Sequence, residues 1–171
     1  MKFKQQEQKE EEVNLPISKE LYDAFADLIQ LEHDKLGLLR SGKYYFYENG
    51  ISNCEKFFAH IYNKCLETVE CLKTFLMNNY NSVPSFKDPE IKPDFSDNIE
   101  PFKQLAEKED EYVENLSKLI DIAFDNKNWI AVAYLLEKIN KFKPICSRAL
   151  SAVENKSNVL DLICEQHSTA K

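Results

Sequence analysis

Four long stretches of helical periodicity are separated by three breaks, and only one of those breaks is long. That arrangement constrains the fold more than any other feature of the chain. A first helix is predicted from about Ser18, a good N-cap, to about Lys43. Gly42 and then Asn49-Gly50 bracket a short connection, Lys43 to Gly50, that carries the aromatic patch Tyr44, Tyr45, Phe46 and Tyr47. A second helix is predicted from about Ser52 to Asn79, with apolar positions Phe57, Phe58, Ile61, Cys65, Leu72 and Leu76. The long break follows, Tyr80 to about Asn98, and holds Pro84, Pro89 and Pro93. A third helix covers about Ile99 to Asp125, and a fourth about Lys127 to Val153, with Pro144 expected to kink the latter near residue 140. Short connections join helices one to two and three to four, so each pair is an antiparallel hairpin. The long break can cross a bundle end to end. The expected architecture is all-α: a four-helix bundle with one long crossover and a short fifth C-terminal helix from Ser157 to Gln166.

A chain of 171 residues suits one domain with a well-buried core. Residues 1–15 read as a polar N-terminal tail and residues 16–171 as the bundle domain. Only three glycines and six prolines are present, which favours long helices over a sheet. A net charge of −7 with no basic stripe argues against nucleic acid and makes cations the natural partner. The five cysteines (54, 65, 71, 146 and 164) are odd in number and contain no CxxC pair, so neither a zinc cluster nor a disulfide framework is expected. No apolar run is long enough to span a membrane, and the N-terminus has no apolar leader; a cytoplasmic protein with free thiols is expected.

Two carboxylates break the helical pattern. Glu32 falls on the apolar stripe Phe25, Leu28, Leu36, Leu39, and Glu109 falls on the stripe Phe102, Leu105, Val113, Leu116, Ile120. A buried carboxylate without a counter-charge is costly. Two of them facing one core therefore call for a cation, either a metal or a basic side chain. Glu67 and Glu70, three residues apart on the second helix and off its apolar stripe, share an exposed face. The three histidines, His33, His60 and His167, form no motif.

The order of several short fragments resembles the ferritin family over about residues 17–166. They are Gln30-Leu31-Glu32 in the first helix, Phe57-Phe58-Ala59 in the second, Glu107-Lys108-Glu109 in the third, and Ile122-Ala123-Phe124-Asp125-Asn126-Lys127-Asn128 at the turn into the fourth. The resemblance implies a ferritin-like bundle, a homo-oligomeric 24-subunit cage, and storage of iron taken up as Fe2+ and held as Fe3+ mineral. By the same resemblance Glu32 and Glu109 match two ligands of the family's di-iron oxidation site. Glu67 and Glu70 match cavity-facing glutamates on which mineral nucleates, although the third member of that cluster is Lys64 here.

The departures from the family pattern are as informative. The second-helix ligand pair falls on Cys65 and Thr68, the fourth-helix positions on Lys141 and Phe142, and the first-helix tyrosine on Leu39. The acidic pore positions fall on Ala133 and Leu136, so iron is expected to enter elsewhere. The haem-ligating methionine position falls on Leu66, so no haem is expected. Two readings of the inner pair follow: Glu32 and Glu109 hold iron at a weakened or atypical ferroxidase site, or Lys141 or Lys64 reaches between them as a buried ion pair. Cys65 enters the first reading as a further ligand or, more simply, as a small buried hydrophobe. At the level of function, an iron-storage subunit stands against a ferritin-like oxidase with a rebuilt metal site and against an inert structural bundle.

Overall fold

The computed structural model describes residues 17–89 and 94–141, with side chains through residue 138. Four helices account for most of it: α1 (Lys19–Glu48), α2 (Ser52–Tyr80), α3 (Glu100–Asp125) and α4 (Trp129–Lys141). Helix α1 packs against α2 and α3, and α3 against α4. The predicted tail, Pro144 and the segment Ser157 to Gln166 lie outside the described residues, as does the course of the fourth helix after Lys141.

The Ser18 hydroxyl opens α1 by accepting a hydrogen bond from the Leu21 amide at 3.1 Å. Contrary to the sequence reading, α1 does not stop near Lys43 but runs on through the aromatic patch to Glu48. The patch is helical, and within it only Phe46 is fully buried. Gly42 is a packing position rather than a stop. A Cβ there would lie 2.5 Å from Cε1 of Phe58, so the missing side chain is what lets α2 approach. The true turn is three residues long, with Asn49 capping α1 and Gly50 at φ +70°.

The long connection runs the length of α1. Ser82 meets the Tyr22 hydroxyl at 3.0 Å near the start of α1. The Lys87 amide donates to Gln30 Oε1 at 3.1 Å along its middle. Asn98 accepts from the Tyr45 hydroxyl at 3.1 Å near its end. These three contacts carry the chain from one end of the bundle to the other, so α2 and α3 run in the same direction. At the α3–α4 turn the Asn128 side chain accepts from the Ala131 amide and from the Tyr80 hydroxyl, each at 3.1 Å, which ties the end of α2 to the start of α4.

The core is continuous. Phe46, Phe57, Phe58 and Phe102 cluster with ring centroids 5.1–5.8 Å apart toward one end, and Phe75 stacks on Tyr134 at 4.1 Å toward the other. The α3 stripe needs one correction. Val113 is exposed, and the residue that fills the core at that level is Tyr112, which is fully buried. Among the described residues no helix is long and apolar enough to cross a membrane.

Candidate metal centre

Between the two aromatic ends lies a charged layer. Glu32 and Lys35 come from α1, Cys65 from α2, and Glu109 and Tyr112 from α3, and all five are buried. Lys35 Nζ donates to Glu32 Oε1. The Cys65 thiol lies 3.1 Å from Glu32 Oε2 and 3.2 Å from the Glu32 backbone oxygen, and donates toward both. Both carboxylate oxygens of Glu32 are therefore engaged by donors from within the chain. The Lys35 ammonium also sits 5.0 Å from the centroid of the Tyr112 ring, a cation–π contact in a dry setting.

The electrostatics follow from burial. Burial alone would drive Lys35 toward its neutral form, but the Glu32 charge, the hydrogen bond to it and the Glu109 charge outweigh that effect. Its pKa lies above the ordinary 10.5. Burial pushes the Cys65 thiol well above its ordinary 9.0, Glu32 pushes the same way, and Lys35 opposes. Burial, with Glu32 second, raises the Tyr112 phenol above its ordinary 10.0. At neutral pH, Lys35 is an ammonium, Cys65 a thiol and Tyr112 a phenol. A protonated thiol donates a hydrogen bond and is a poor metal ligand.

The sequence singled out Glu32 and Glu109, and the structure buries both in the core within electrostatic reach of one lysine. That lysine is neither of the two named from sequence. Lys64 is exposed on α2, and the side chain of Lys141 lies outside the described residues, as does Phe142. Lys35 occupies the position because it follows Glu32 by one turn on the same stripe. The signal was legible: Leu28, Glu32, Lys35 and Leu39 are spaced four, three and four, the rule that flagged Glu32 in the first place. The same spacing through Leu105, Glu109, Tyr112 and Leu116 marks Tyr112.

Thr68 turns its hydroxyl to the Lys64 carbonyl at 3.0 Å, away from the layer. Leu39 is core. Glu67 and Glu70 lie on the exposed face of α2, where Glu70 meets Lys73 at 3.3 Å. Ala133, Leu136 and Leu66 are exposed. Among the described residues no three His, Cys, Asp or Glu side chains are grouped closely enough to share a metal ion.

The sequence matches no family model and no curated protein. Solved structures do match. An open-pore ferritin from the hyperthermophilic archaeon Archaeoglobus fulgidus superposes with a TM-score of 0.76 at 15% identity, covering 91% of this chain and 99% of that one. A humanized archaeal ferritin gives 0.73 at 15% identity, with 91% and 99% coverage. An engineered closed form of the Archaeoglobus fulgidus ferritin gives 0.74 at 14% identity, with 91% and 98% coverage. The described residues have the ferritin fold.

Proposed function

We propose that the chain is an iron-storage subunit that assembles into a 24-subunit cage in the cytoplasm, takes up Fe(II) and holds it as ferric mineral, with an oxidation site weakened by its own lysine. One observation carries the reading. At the centre of a ferritin-fold bundle the Glu32 carboxylate has both oxygens occupied, one by Lys35 and one by Cys65. Fe(II) is the substrate, and Glu32 with Glu109 is the oxygen-donor pair that would receive it. To be received there it must displace the Lys35 ammonium, and a displaced buried charge is costly. Oxidation at this layer is therefore slow. Storage then leans on the exposed carboxylates Glu67 and Glu70, which concentrate iron without desolvation.

Stopped-flow oxidation of Fe(II) at low loading tests this. The expected result is a single slow phase close to the protein-free background. A fast phase that persists in Glu32→Ala with Glu109→Ala would show that the inner pair is not where oxidation occurs. Assembly is tested separately by sedimentation, where only monomer or dimer would remove the cage from the proposal.

A further inference from the structure

Helix α4 opens with eight residues, Trp129 to Leu136, that include no charged or amide side chain. A helix that is apolar all round is normally covered all round. Here one side is covered: Ala131, Val132 and Leu135 join the core, and Tyr134 stacks on Phe75 of α2. The other side lies open. Trp129, Ala133 and Leu136 follow one another along it at helical spacing with Ile130 beside them, and Trp129, Ile130 and Leu136 are 61%, 48% and 43% exposed. Phe124, at the end of α3, extends the patch; it is exposed too, and its ring meets that of Trp129 edge-on at 5.7 Å. The turn beneath is held by Asn128, whose side chain accepts from the Ala131 amide and the Tyr80 hydroxyl. A patch already fixed in place loses little conformational freedom when it is covered.

Area, charge and chain connectivity select a second copy of this chain as the cover. Phe124, Trp129, Ile130 and Leu136 leave on the order of 400 Å² of apolar surface open, about half of what one partner of a stable interface buries. That suits the apolar centre of a contact between chains, completed by a polar rim. The rim carries both signs, with Asp121 and Asp125 on α3 and Lys127 in the turn. One copy can therefore set Lys127 against Asp121 or Asp125 of another, although each chain has a net charge of −7. The remaining parts of the chain are poorly suited to the task. Seven of residues 1–15 are charged, too polar a run to cover an apolar face, and residues 142–171 continue from Lys141, roughly 18 Å along α4 from Trp129. We propose that the Phe124–Trp129–Leu136 corner is a self-association surface, seated against a second copy of this chain. The proposal rests on the assembly half of the reading above and is independent of iron.

Trp129 is the only tryptophan of the chain, so its fluorescence reports on this corner alone. The test sizes the full-length protein by sedimentation and reads the emission and acrylamide quenching of Trp129 on the same samples. Oligomers in which Trp129 emits at short wavelength and resists quenching are expected. Ile130→Lys with Leu136→Lys keeps the probe and should weaken association roughly tenfold or more, returning Trp129 to the red emission and ready quenching of an exposed indole. Leu66→Lys, at a similarly exposed leucine of α2, should leave both readings as in wild type. The wild-type emission needs no variant, which keeps the proposal testable if the double variant does not fold. Oligomers with a readily quenched Trp129 would overturn the proposal and leave the cage standing, as would equal loss of association in Leu66→Lys. A shielded Trp129 in a monomer would overturn it by assigning the cover to another part of the same chain. Monomers with an exposed Trp129 would overturn both the surface and the cage. A shielded Trp129 in a dimer or trimer would keep the surface and remove the 24-subunit cage.

Discussion

Glu32 and Glu70 each meet a lysine three residues further along the same helix, and each lysine also lies over an aromatic ring, Lys35 5.0 Å from the centroid of Tyr112 and Lys73 5.2 Å from that of Phe86, yet the two pairs differ in burial. Glu32 and Lys35 are 0% and 3% exposed, whereas Glu70 and Lys73 are 62% and 26% exposed, with 3.3 Å between their charged atoms. Identical spacing thus produces a dry, locked pair in one place and a loose, hydrated one in the other. The local helix geometry is the same. The difference comes from what packs around it: Cys65 and Tyr112 close over Glu32 and Lys35, while water covers Glu70. A carboxylate one turn before a lysine says little about function until its surroundings are known.

The sharpest way to break that comparison is to remove each lysine in turn. Lys35→Met strands Glu32 and leaves Glu109 without its nearby ammonium, and should cost about 3–5 kcal/mol of stability at neutral pH. Lys73→Met should change stability by no more than about 0.5 kcal/mol. Urea unfolding of the two variants decides it, and equal costs would mean that burial is not what separates the pairs. Pairing Lys35→Met with Glu32→Gln should recover part of the loss, because Glu32 then carries no charge in the layer while Glu109 still lacks its nearby ammonium. In the single Lys35→Met variant a divalent cation becomes the natural partner for the two carboxylates. Its melting temperature should therefore rise with added Fe(II) under anaerobic conditions while that of wild type does not.

A smaller effect is expected in alkali. All three resolved shifts in the layer are upward, so the folded state holds its protons more tightly than the unfolded chain. For Cys65 the penalty of burying a thiolate is absent below the ordinary 9.0 and grows above it. For Tyr112 the same begins near 10.0. The stability Lys35 contributes is whole below 10.5 and is lost as pH climbs toward its higher folded value. Stability should accordingly fall as pH rises past about 9, by at most about 1.4 kcal/mol per pH unit for each group. Cys65→Ala should delay the onset toward pH 10. Lys73→Met, outside the layer, should leave the onset in place.

The element order, the two hairpins and the crossover were legible because they depend on periodicity and loop length, which a sequence displays directly. The end of α1 was not, because Gly42 reads as a stop until its contact with Phe58 is seen; the glycine is there for a neighbour 16 residues away in sequence. The layer was half legible. Glu32 and Glu109 stood out as charges on apolar stripes, and Lys35 met the same test. The counter-charge lies one turn along α1 and not across the bundle, where Lys64 and Lys141 are the sequence candidates. Tyr112 was hidden by Val113, the more hydrophobic of two adjacent residues but the one that faces water. What no spacing rule could supply is that Cys65 turns its proton to Glu32, since that depends on how α2 sits against α1.

The smallest expected effect on stability, and the one that bears most on storage, comes from the exposed side of the comparison. Glu67 and Glu70 lie one turn apart on the water-facing side of α2, and Glu70 is only loosely held by Lys73. Hydrated carboxylates at that spacing raise the local concentration of ferric ions and favour their hydrolysis, with no buried charge to rearrange. Glu67→Ala with Glu70→Ala should therefore leave the unfolding free energy within about 0.5 kcal/mol of wild type. It should lengthen the lag before mineral growth and lower the iron retained per cage. Lys73→Met should act in the opposite sense, since it frees Glu70 and shortens the lag. Both quantities come from one iron-loading time course followed by absorbance and then by iron content after gel filtration. Equal lag and equal retention in wild type and the double variant would leave the exposed carboxylates as a solvated helix face and nothing more. A changed lag in Lys35→Met but not in the Glu67 and Glu70 variant would move mineral initiation to the interior layer, reversing the roles of the two pairs.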